Sequence, residues 1–113
     1  MKNTYRSYAC LFLLIGVLGC AGKPQTRQSL RAVQLAYRQP ALSVCISGDF
    51  NQWSRQSHCM RDDQNEWRMT LYLPPGKYRY LFVVDSRQWM CDPNALYEEK
   101  DGFGRRNSVL LVE

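Results

Sequence analysis

The chain has 113 residues, of which the first 19 have the layout of a segment removed on export, leaving about 94 residues, enough for one domain at most. A domain of that size buries only about 60–65% of its unfolded surface, which leaves little room for a deep catalytic cleft beside a complete core, while 45% hydrophobic residues with three Trp and seven Tyr exclude disorder over most of it. The net charge is +5, but Lys2 and Arg6 belong to the leader; the small basic surplus left is scattered along the chain with only Arg105-Arg106 adjacent, which suits solubility and argues against a nucleic-acid partner.

Residues 1–20 read MKNTYRSYACLFLLIGVLGC: two positive charges, no acid, then an apolar run from Ala9 to Gly19, as in a secretory signal peptide. The run is too short to span a bilayer. It closes on Val17-Leu18-Gly19-Cys20, which resembles the bacterial lipobox, with Val17 in place of the usual Leu. That resemblance implies cleavage after Gly19 and acylation of Cys20 with palmitate-type chains, each buried methylene adding about 0.8 kcal/mol to a membrane anchor. Ala21, a non-Asp residue after the cysteine, then favours the outer membrane of a bacterial envelope, facing either the periplasm or the surface. An ordinary signal peptide with an incidental cysteine is the alternative. The expected organisation is a leader over 1–19, the lipidated Cys20 and a polar tether over 20–31 (CAGKPQTRQSLR), and one domain over 32–113.

From Arg31 the pattern becomes alternating. Val33, Leu35 and Tyr37 form one face of a short strand that Pro40 ends, and Leu42, Val44 and Ile46 continue the period of two as far as Gly48. Asp62-Asp63 fall in a charged segment, RDDQNE, expected as a solvated loop tip. Trp67–Leu73 alternates cleanly, with Trp67, Met69, Leu71 and Leu73 on one side. Pro74-Pro75-Gly76 then predicts a tight turn, with Gly76 at positive φ, into a hairpin arm over Tyr78–Val84 whose Tyr78, Tyr80, Phe82 and Val84 share a face. Glu98-Glu99-Lys100-Asp101 reads as a second charged loop tip, and Val109–Val112 as a last apolar strand. No helical period runs for ten residues. Six or seven short strands at this spacing predict an all-β, antiparallel two-sheet sandwich of immunoglobulin-like type.

Three cysteines, Cys45, Cys59 and Cys91, remain in a compartment where disulfides persist, so at least one thiol stays free; one bridge is expected, with Cys59–Cys91 favoured because Cys45 lies within a strand. His58 is the sole histidine, and no CxxC or carboxylate cluster accompanies the thiols, so neither a metal site nor any other cofactor is expected. The acids offer no carboxylate pair suited to glycoside hydrolysis, and GxSxG, Cys-His and phosphate-loop motifs are missing, which points to a binding or structural module rather than an enzyme.

The segment Ser47-Gly48-Asp49-Phe50-Asn51-Gln52-Trp53 can return Phe50 to the core and present Trp53 on the following loop; Trp89 comes again just after a predicted strand end. An exposed indole offers a face for the C–H side of a sugar ring and an N–H for a hydroxyl. The alternative is that either Trp merely covers the end of the sandwich.

SGDFNQW, EWRMTLYLPPGKYRYLFVVD, RQWMCDP and GRRNSVLLVE together resemble the family 48 carbohydrate-binding module, the early-set sandwich that serves as the glycogen-binding domain of the AMP-activated protein kinase beta subunit and accompanies isoamylase-type enzymes. The resemblance covers residues 32–113. It implies that Trp53 and Trp89 stack on glucose rings, that Asn107 hydrogen-bonds hydroxyls, and that Phe103 takes the place of an apolar residue inserted along the glucan. Asp92-Pro93 matches a turn read as structural. Two positions depart from the family: its Lys after the second Tyr of the hairpin arm is Leu81, and its Thr before the Asn is Arg105; Arg79 and Arg105 are the cations at hand to replace the lost ammonium. The implied partner is an α-1,4-linked glucan such as glycogen, starch or maltodextrin. The rival reading is an envelope domain for protein interaction or structure, its partner unknown, that kept the sandwich and lost the sugar site.

Overall fold

The structure, a computed structural model, describes Gly19 and residues 29–113; the leader, Cys20 and most of the tether lie outside the described residues. Eight strands follow in chain order: β1 (Arg31–Tyr37), β2 (Val44–Gly48), β3 (Arg61–Asp63), β4 (Glu66–Leu73), β5 (Gly76–Val84), β6 (Gln88–Met90), β7 (Tyr97–Lys100) and β8 (Arg106–Val112). They form an antiparallel sandwich of a three-stranded sheet, order β1-β4-β3, and a five-stranded sheet, order β2-β5-β8-β7 with β6 also on β5. The strand β5 is long enough to hold two partners on one side, β8 along Gly76–Tyr80 and β6 along Phe82–Val84.

The core forms where the two alternating faces meet. Leu35, Tyr37, Leu71 and Leu73 come from one sheet, and Ile46, Tyr80, Phe82 and Val84 from the other. Ile46 and Phe82 are wholly buried, each worth about 1.5–3 kcal/mol of transfer free energy. Tyr37 meets Phe82 edge-on, ring centroids 5.9 Å apart, which ties β1 to β5 across the interior. Trp67 packs against this core while only partly buried.

Several expectations need correction. The segment 66–84 is not a hairpin: β4 pairs with β1 and β3, and β5 with β2, β6 and β8. Both strands carry a full apolar face, and facing each other across the core buries both faces at once. Pro74 and Pro75, which have no N–H to give to a ladder, form a corner between the sheets, held by the Tyr78 hydroxyl donating to the Pro74 carbonyl at 2.7 Å. Gly76 accordingly lacks positive φ and simply opens β5. Leu42, which continues the alternation on paper, is 89% exposed. The Asp85 carboxylate accepts its amide N–H at 2.7 Å, which takes that amide out of any ladder and starts β2 at Val44.

The acidic segments are not loop tips. Asp62 and Asp63 belong to β3, joined to β4 by a two-residue turn in which Gln64 and Asn65 both take positive φ, as tight hairpins require. Glu98, Glu99 and Lys100 belong to β7.

Candidate functional site

Alternation about Phe82 and Val84 sends Arg79, Leu81 and Val83 to the outer face of the five-stranded sheet. Register adds Cys45 and Trp89 beside Val83 and Ser47 beside Leu81. Asn107 pairs with Glu99, and Val109 with Arg79 and Tyr97. Trp89, Leu81 and Asn107 therefore share one face, directed away from the core. Trp89 is 38% exposed, and it lies within β6 rather than in a turn. The chain reverses just before it, with Asp85 and Ser86 at positive φ and the Arg87 N–H donating to the Val84 carbonyl at 3.1 Å.

Trp53 reaches the site by another route. After Gly48 the chain makes a 3-10 turn over Asp49–Asn51, and Gln52 and Trp53 then take φ of 56° and 60°. Asn51 organises this reversal: its Oδ1 accepts the Gly48 N–H at 2.9 Å and its Nδ2 donates to the Ile46 carbonyl at 2.8 Å. Phe50 returns to pack on the core and meets His58 edge-on. Asp49 ties the loop to the sheet, its carboxylate accepting the Arg79 amide N–H at 2.8 Å and the Trp53 indole N–H at 3.2 Å. That indole N–H is already spent, so the ring face is what Trp53 offers.

The loop is also closed covalently, and here the expected Cys59–Cys91 bridge is overturned: the disulfide joins Cys45 to Cys59, and Cys91 is a free thiol. Residues 58–60 add a short run to the free edge of β2, with the Ile46 N–H donating to the His58 carbonyl and the Met60 N–H to the Val44 carbonyl, both at 2.8 Å. Cys45 and Cys59 sit opposite each other between those two bonds, where antiparallel side chains approach most closely. A place in β2 does not bury Cys45 in the core; with Val44 and Ile46 facing inward, its sulfur faces outward. The inward alternation of Val44 and Ile46 carried that signal in the sequence. Cys91 instead donates its S–H to the Arg106 carbonyl at 3.3 Å.

Val83 is only 1% exposed although it faces outward, so the disulfide and Trp89 on its two flanks act as the floor of the site. Phe103, in the loop before β8, is 90% exposed. Arg105 stands in the same loop, which Asp101 fastens by accepting the Phe103 and Arg105 amide N–H groups. Arg79 lies on the face of Leu81 but is engaged, its Nε 3.8 Å from Glu99. The Lys77 ammonium holds the Glu99 carboxyl below the usual range. Asp92 is used by the fold: it is 4% exposed and accepts the Tyr80 hydroxyl at 2.7 Å, while its own N–H donates to Ser108 Oγ at 2.8 Å. Burial first, and Asp92 second, push the Tyr80 phenol well above its ordinary pKa. No group of three or more His, Cys, Asp or Glu side chains placed to hold a metal occurs among the described residues.

The family model for the glycogen recognition site of AMP-activated protein kinase matches residues 31–113. The chain belongs to this family. The chain is 32% identical over 83 residues to Protein FLOURY ENDOSPERM 6, chloroplastic, of Oryza sativa subsp. japonica, a match that covers 74% of the chain and 15% of that protein. It is 34% identical over 67 residues to the human 5'-AMP-activated protein kinase subunit beta-2, covering 59% of the chain and 24% of the subunit. The chain thus spans only a small part of these relatives. Among solved structures, a maltogenic amylase from S. marinus superposes with a TM-score of 0.60 at 20% identity, over 73% of this chain and 13% of that one, a likeness of fold alone.

Proposed function

We propose that the domain is a non-catalytic module that binds α-1,4-linked glucan by stacking on Trp53 and Trp89, with Asn107 supplying a hydrogen bond and Phe103 an apolar contact. The observation that carries this reading is that Trp89, Leu81 and Asn107 share the outward face beside the Trp53 loop, in a chain that belongs to the glycogen-recognition family. The family's own description, a glycogen recognition site, supports it. Leu81 gives the face an apolar centre where an ammonium would have donated, so ring stacking carries more of the affinity here. The same proposal places the domain on a lipid anchor at Cys20 in a bacterial envelope, outer membrane favoured, on the strength of the Val17–Cys20 segment. Labelling by a palmitate analogue that vanishes in Cys20→Ser supports the anchor; labelling that persists rejects it.

Affinity electrophoresis in gels containing glycogen, amylopectin, cellulose or no polymer tests the binding. Retardation by the two α-glucans is expected, and Trp53→Ala or Trp89→Ala should weaken it by about 1–3 kcal/mol. Wild-type mobility unchanged by any α-glucan would reject the glucan reading. The interaction-domain alternative, to which Leu81 and the bonded Trp53 N–H lend support, would then stand.

A further inference from the structure

The outward face continues past Asn107 onto β7. Glu99 lies on it, because its carboxylate meets the Lys77 ammonium and Arg79 Nε, and both of these alternate with Leu81 and Val83. Tyr97, two residues before Glu99 on the same strand, therefore points the same way. Tyr97 is 53% exposed, whereas Val109 beside it is 6% exposed. Register sets Arg79, Val109 and Tyr97 in one row across β5, β8 and β7, about 10 Å from first to last at the usual strand spacing. At the β2 end of that row stands Asp49, which holds both the Arg79 amide and the Trp53 indole. An aromatic ring thus lies at each end of a strip whose middle carries the Lys77 ammonium, the Arg79 guanidinium and the Glu99 carboxylate, paired with one another and with N–H groups and lone pairs left over for hydroxyls above an apolar floor.

We propose that Tyr97 is a third stacking platform, with Arg79 and Glu99 as the polar groups between it and Trp53, so that the face selects long α-glucan chains over short ones. This rests on the glucan reading above. The polar pair turns the loss of the Leu81 ammonium into a displacement of the hydrogen-bonding groups toward β7. Chains that reach only Trp53, Trp89 and Asn107 gain nothing from Tyr97, and chains that cross the strip gain one more ring contact.

Calorimetric titration of the domain with maltotriose and with maltoheptaose tests this. Tyr97→Ala is expected to weaken maltoheptaose binding about tenfold, one ring contact, and to leave maltotriose unchanged; Tyr97→Phe, which keeps the ring, should match the wild type with both. Trp89→Ala should weaken both sugars. A Tyr97→Ala variant that binds maltoheptaose as the wild type does, or that loses both sugars equally, overturns the third platform while leaving the glucan reading in place. A wild type that binds neither sugar overturns both.

Discussion

The two tryptophans of the face are held in opposite ways. Trp89 belongs to a strand and inherits its position from the backbone ladder that pairs Val83 with it. Trp53 lies outside any strand, at positive φ; one backbone bond, its N–H donating to the Gly48 carbonyl at 3.0 Å, closes the turn, and the rest of its placement comes from side chains: Asn51 within the loop, Asp49 to the sheet, and the Cys45–Cys59 bridge across the stems. A platform held by the ladder moves only when the sheet does, whereas one held by side chains can be displaced by a single substitution that leaves the sheet intact. Aromatic side chains on one face need not respond alike to the same perturbation.

The sharpest way to break the contrast is at Gly48, where the loop leaves β2. A Cβ there would stand 2.5 Å from the Arg79 carbonyl oxygen and 2.8 Å from the Tyr80 Cβ, neither of which is a flexible tip. Gly48→Ala should therefore force β2 away from β5 and cost about 3–4 kcal/mol, read as a drop in the urea midpoint, and it should disturb both tryptophans together. Next in size is the bridge. Cys45 and Cys59 are 14 residues apart, and closing a loop of that size stabilises by about 3 kcal/mol on the chain-entropy model. The Cys45→Ser, Cys59→Ser double variant, or the reduced protein, should unfold at correspondingly lower urea; a non-reduced digest should show Cys45 linked to Cys59 and Cys91 free. Smallest is Asn51→Ala, which leaves the Gly48 N–H and the Ile46 carbonyl without their partner and should cost about 2 kcal/mol. Amide exchange should speed up around residues 48–54 and stay unchanged in β6. Equal acceleration in both segments would show that the two tryptophans are not independently held.

The sandwich was legible in the sequence because its inner strands are half-buried and alternate: Trp67 to Leu73 and Tyr78 to Val84 lie where the period of two places them. Their assignment to different sheets was not legible, since a pattern of alternating residues says which face is apolar and nothing about which strand lies alongside. The site divides in the same manner. Trp53, Trp89 and Asn107 stood out by residue type and by resemblance, and the structure brings Trp89 and Asn107 onto one face with the Trp53 loop beside them. The roles of Asp49 and Asn51 were hidden in the same motif, because a short polar side chain in a turn looks alike whether it points to water or ties the loop to β5. Tyr97 and Glu99 were missed with the strand that carries them.

That strand has a further consequence. Among the described residues, β3 and β7 stand at edges of their sheets with one side of the backbone unpaired, and such a row of open N–H and C=O groups is a template on which a second chain can add. Both are short, three and four residues, and both are charged, Arg-Asp-Asp in one and Tyr-Glu-Glu-Lys in the other. At β1 the neighbouring loop helps to cover the edge, the Asn94 amide donating to the Ala36 carbonyl at 3.4 Å. The features that made β3 and β7 look unlike strands are the ones that discourage edge-to-edge pairing between copies.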